Sequence, residues 1–162
     1  MSTAEQEAGP NWSRRFFLSA IALAVLLLLG LAASATIPRW WAQRIGEQVD
    51  GSIVTGTFLG LFYGFVFTVL PLLVLAAAFR WRRTWRVLLL ALGVAAVLAL
   101  PNLLTLGIVL GRGNAAHAGD RILDVEAPAF RGGTLGGALL AAALVGLVAW
   151  LVFWRGRPRE SA

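Results

Sequence analysis

Long apolar runs alternate along this chain with short, arginine-bearing polar connections, and that alternation predicts an all-α membrane protein with spans at about 16–35, 53–79, 87–111 and 134–154. Each run can cross a hydrocarbon core of roughly 30 Å as a helix rising about 1.5 Å per residue. The second run, Ile53 to Phe79, would reach about 40 Å, so it must tilt or bend, and Pro71 is the expected bend. Within it Gly56, Gly60 and Gly64, continued by Thr68, fall four residues apart and form one narrow face. In lipid, where apolar burial does not drive helices together, such a face lets a neighbouring backbone approach closely enough for dispersion contact. The fourth run carries a second small-residue stripe, Ala138, Ala142, Gly146 and Ala149, which makes it the candidate partner of the glycine face. The third run is interrupted by Pro101-Asn102, with Thr105 one turn later.

The connections fix the expected arrangement. Residues 1–15 are polar and expected to be a disordered cytoplasmic N-terminus. Ser13-Arg14-Arg15-Phe16-Phe17-Leu18 has the form of a twin-arginine export signal, and Ala33-Ser34-Ala35 the form of a cleavage site. The length and hydrophobicity of the run between them favour an uncleaved anchor. From Ile37 to Val49, the residues Ile37, Trp41, Ile45 and Val49 share one face, predicting a short amphipathic helix on the outer surface. Pro38 suits its start and Asp50-Gly51 its stop, with Trp40 and Trp41 at headgroup level. Arg80 to Arg86 reads as a cytoplasmic turn, and residues 112–133 as a long outer loop with a short strand at Leu123 to Ala127, ended by Pro128. Residues 155–162 form a basic cytoplasmic tail. Nine arginines then lie on the inner side against five on the outer, so both termini are expected in the cytoplasm of a multi-pass plasma-membrane protein.

Composition narrows the chemistry. The chain has 162 residues, 59% of them hydrophobic, which sets one membrane domain rather than several. It has no cysteine, which removes thiol redox relays, iron–sulfur clusters and thiolate zinc sites, and a single histidine, which removes a bis-histidine haem within one subunit. No cofactor is expected. The pI near 11.6 does not indicate nucleic acid, because the arginines flank apolar spans as topology signals. None of the spans contains Asp, Glu, Lys, Arg or His, which argues against proton-driven pumping and against small multidrug exporters that depend on an embedded carboxylate.

Two residue groups could carry function. Tyr63 and Asn102 sit at matching depths, about 15 Å below the outer surface, and Thr57 and Thr105 match nearer to it, so the four could line a shallow outward cavity. The alternative is that these groups satisfy proline-freed carbonyls and bridge helices. In the outer loop, His117, Asp120, Asp124 and Glu126 lie close together with Arg112, Arg121 and Arg131. Imidazole and carboxylates could hold a divalent metal or arrange a base, but without an H-x-x-x-H or H-E-x-x-H element an ion-pair network that orders the loop is favoured.

The run Thr57 to Thr68 (TFLGLFYGFVFT), the Pro101-Asn102-Leu103-Leu104-Thr105 break and the segment Gly113 to Arg121 (GNAAHAGDR) resemble a group of small actinobacterial integral membrane proteins catalogued as permeases. The resemblance spans Ile37 to Trp154 and implies location and size; no functional residue is transferred by it. The expected function is a permease-like protein, alone or as a homo-oligomer, with a non-transporting accessory or scaffold subunit of a larger membrane complex as the alternative. An outer-face enzyme using His117 and Asp120 ranks last, and no enzymatic activity is expected.

Overall fold

The structure, a computed structural model, describes residues 12–80 and 84–155. Five helices follow one another: α1 (Trp12–Val49), α2 (Ile53–Arg80), α3 (Trp85–Leu110), α4 (Asn114–Glu126) and α5 (Phe130–Arg155). All but α4 are long and apolar enough to cross a membrane. The expected N-terminal disorder before Trp12, the tail after Arg155 and the centre of the arginine–tryptophan turn lie outside the described residues.

The axis of the molecule is the α2–α5 pair, whose contacts run in the same direction along both helices. An added Cβ at Gly56 would sit 2.1 Å from the Pro128 carbonyl oxygen, at Gly60 2.3 Å from that of Phe130, and at Gly64 2.0 Å from that of Thr134. These glycines therefore admit the α5 backbone itself. The facing positions on α5 are Gly133 and Gly137, whose own added Cβ atoms would meet the Thr57 and Leu61 carbonyls at 2.7 and 2.3 Å, followed by the fully buried Ala141. This is a parallel small-xxx-small contact, in which dispersion supplies the attraction. It corrects the expected register. Ala138 does touch Gly64, but Ala142 is exposed and Gly146 has open space around it. Gly133 and Gly137, outside the expected stripe, form the closer-packing row.

The second correction concerns Ile37 to Val49, which is not a separate helix. α1 runs unbroken through Pro38, a residue that long apolar helices tolerate in their interior. The expected apolar face is there, with Ala42 added and Ile37 removed: Trp41, Ala42, Ile45 and Val49 are buried, and Ile37 is 38% exposed. That face packs on protein. Its partners include Ile108, Leu123, Ala127 and Phe130, so the core lies at the end of the bundle where α2 and α5 begin and α3 finishes. Here the segments carry polar outer faces and burial from water contributes, whereas further along the helices apolar contact with lipid is as good as contact with a helix.

The third correction is the long loop. Residues 114–126 form α4, not a loop with a strand at Leu123 to Ala127. Ala115, Gly119 and Leu123, at helical spacing, are buried with Ala116 against α1 and α3, while Asn114, His117, Arg121 and Val125 face outward. The alternation of Leu123, Val125 and Ala127 imitated a strand, but the four-residue period ran longer and prevailed. Gly119 lets α4 approach α1, since a Cβ there would stand 3.0 Å from the Pro38 carbonyl oxygen. Gly51 N–H donates to the Glu126 carbonyl at 2.9 Å, tying the α1–α2 turn to the end of α4. A turn through Pro128 and Ala129 then starts α5, with Ala129 held at φ 65°. α5 therefore begins at Phe130, four residues before the expected start.

Candidate functional site

The polar side chains of the spans gather where α2, α3 and α1 meet. Asn102, just after Pro101, donates from Nδ2 to the Gly64 carbonyl at 3.2 Å and to Thr68 Oγ1 at 2.9 Å. The carbonyl can only accept, so it fixes which end of the amide faces α2. Thr105 Oγ1 donates to the Pro101 carbonyl and accepts from Trp41 Nε1, both at 3.0 Å, joining α3 to α1. The carbonyl that Asn102 satisfies belongs to Gly64, which is not the one freed by either proline. One acceptor is left over: Asn102 Oδ1 is buried and has no hydrogen-bond partner. An orphaned buried acceptor costs about 1–3 kcal/mol.

Beside this cluster α3 and α5 diverge from their common neighbour α2 and leave a cavity of about 510 Å³. Thr68, Asn102 and Thr105 line one part of it, and Leu106, Val109, Leu135 and Ala138 form apolar walls. Toward α4 the lining includes Asp124, Ala127 and Arg131. Arg131 forms ion pairs with Asp120 and Asp124, one turn apart on α4, and so clamps α4 to the first turn of α5. Its side chain is 33% exposed and the two carboxylates 37% and 56%, so screening leaves the clamp a modest energetic role.

Of the residues expected to share a cavity, Asn102 and Thr105 do so. Tyr63 and Thr57 do not. Tyr63 lies level with Asn102, which bonds to the adjacent Gly64, but it faces α1, donating its hydroxyl to Gln48 at 3.2 Å and packing its ring near Trp41, Phe67 and Phe130. Thr57 donates to the Ile53 carbonyl of its own helix at 2.8 Å. Thr68 and Thr134 replace them in the lining. Thr68 was legible as the continuation of the glycine stripe; Thr134 was read only as the start of a span. In the group around α4, Arg131, Asp120 and Asp124 come together, while His117 and Arg121 are exposed and Glu126 lays its side chain over Gly46. Among the described residues no three His, Asp or Glu side chains converge as a metal site.

Fold and hydropathy together define an all-helical, multi-pass membrane protein. Compared with protein-family models, with curated proteins and with solved structures, the chain matches none.

Proposed function

We propose that the protein is a small permease-type protein of the plasma membrane, with both termini in the cytoplasm and the α4 end outside, that takes up a small substrate in the cavity between α3 and α5. The cavity carries this reading: about 510 Å³ of space, mostly apolar walls and a few converging polar groups are the ordinary constitution of a small-molecule site. The arginine asymmetry supports the orientation. The test replaces Asn102 by Leu and Ala138 by Phe. Loss of a transport-dependent growth phenotype in both variants, with expression and assembly intact, supports the reading; an unchanged phenotype in a filled cavity overturns it.

One observation favours a second reading, a non-transporting subunit of a larger complex. Among the described residues, none in the most apolar window of α1 is buried, so that stretch of the helix presents an open face to a partner. Purification in mild detergent separates the two, since an accessory chain emerges with its partner and a permease emerges alone or as a homo-oligomer. His117 and Asp120 are assigned no catalytic role, because Asp120 is engaged by Arg131 and His117 is exposed.

A further inference from the structure

α1 is two pieces in one helix. Among its described residues, those that are buried all fall between Trp41 and Val49, and from Trp12 to Ala32 none is even half-buried. The polar ties to the bundle, Trp41 to Thr105 and Gln48 to Tyr63, lie on the later piece, and the close approach to α4 is at Pro38. The boundary between the pieces is Ala33-Ser34-Ala35, which has the small-x-small form of a signal cleavage site, with Ala33 half-buried and Ser34 and Ala35 exposed. The helix is also weakest there. Pro38 has no N–H to offer the Ser34 carbonyl four residues earlier. Ser34 and Thr36 donate their hydroxyls to the Leu31 and Ala32 carbonyls, both at 2.8 Å, a bonding that competes with the helix ladder. Gly30, where an added Cβ would meet nothing within 4 Å, loosens the helix with no packing reason to be glycine. Counted to Ala35, the apolar run after Arg14 and Arg15 is long enough to span; counted from Phe16 to Gly30, it falls within the roughly 7–15 residues of an export signal's core.

We propose that this chain is cut between Ala35 and Thr36 by an outward-facing membrane peptidase of the kind that accepts small side chains one and three residues before the bond. Water adds across the peptide bond: Ala35 takes the oxygen as a carboxylate, and Thr36 keeps the nitrogen as a new amino terminus. Residues 1–35 leave with the first span. Residues 36–49 stay as a short amphipathic helix, because Trp41, Ala42, Ile45 and Val49 keep their places in the core with Ile108, Leu123 and Phe130. In the chain as synthesised both termini are cytoplasmic, as proposed above, which sets Ala35 on the outer side; after the cut the new terminus lies outside, above three spans. The cut depends on that orientation and not on the cavity.

The full chain with a C-terminal affinity tag, made in a bacterial inner membrane and purified in mild detergent, is read by N-terminal sequencing and intact mass. Thr36 is expected as the first residue, with a mass short by residues 1–35. Ala35→Leu, at an exposed position, should abolish the cut, and Ser34→Leu, between the two small positions, should leave it in place. A full-length chain overturns the proposal, as does a chain trimmed at another bond, an Ala35→Leu chain cut as before, or loss of the cut in both variants. Thr36→Cys, which carries the single thiol of its variant, separates the two reasons for a full-length chain. Labelling by an impermeant maleimide from outside overturns the cut and leaves the orientation standing; labelling from inside alone overturns both.

Discussion

Asn102 and Arg131 show how differently single residues hold this protein. Asn102 bridges α3 to α2 inside the membrane layer, where an interhelical hydrogen bond contributes about 0.6 kcal/mol on average and less than 2 kcal/mol at most. Asn102→Leu should therefore cost about 1 kcal/mol, partly offset because the orphaned Oδ1 is removed as well, and reversible unfolding in mixed micelles would measure it. Arg131→Gln should cost about 1 kcal/mol or less, and its effect should shrink further as salt is raised, because its partners are substantially exposed. Ala129 holds a left-handed backbone at φ 65°, a conformation that disfavours a side chain by roughly 1–2 kcal/mol, so Ala129→Gly should raise the unfolding midpoint and not lower it. That Asn102 and Tyr63 lie at one level was legible, because rise per residue is fixed. Their direction was not: periodicity gives angles within one helix, and only packing sets the rotation of each helix against the others, which is why Tyr63 faces Gln48 while Asn102 and Thr105 face the cleft.

Among the elements, the long spans and the glycine face of α2 could be read directly, since runs of apolar residues and four-residue spacing are local properties. The α5 row was misread because two small-residue rows run side by side on that helix, Gly133-Gly137-Ala141 and Ala138-Ala142-Gly146, and sequence does not say which faces α2. α4 was taken for a loop because glycine, alanine and charge suggest weak structure in isolation, yet it is held by the face it buries. Graded glycine substitutions test this account. Gly64→Ala puts a methyl group against the Thr134 backbone and should cost about 1–3 kcal/mol or more; Gly46→Ala meets the Glu126 side chain, whose carboxylate can swing away but whose Cβ at 2.8 Å moves only with α4, and should cost less than Gly64→Ala without being neutral. Gly146→Ala meets nothing and should be neutral or stabilising by up to about 1 kcal/mol, as alanine favours the helix. Thermal unfolding of the series in one detergent orders them, and equal costs at 64 and 146 would refute the assigned contact.

For the whole molecule, the absence of cysteine allows a clean topology test: Thr84→Cys and His117→Cys, both at exposed positions, should react with an impermeant maleimide from opposite sides of the membrane. A second measurement concerns α1. Leu28→Ala, at a position 66% exposed, should change stability by less than about 0.5 kcal/mol, while Phe130→Ala, fully buried among α1, α2 and α4, should cost about 3 kcal/mol. The parallel course of α2 and α5 has a consequence for biogenesis. Two neighbours that point the same way cannot be joined by a hairpin, so α3 and α4 must be synthesised before the α5 backbone can reach the glycines waiting on α2. The tightest joint in the protein is therefore closed last, and a nascent chain halted within α3 would sit in the membrane with that groove occupied by lipid alone.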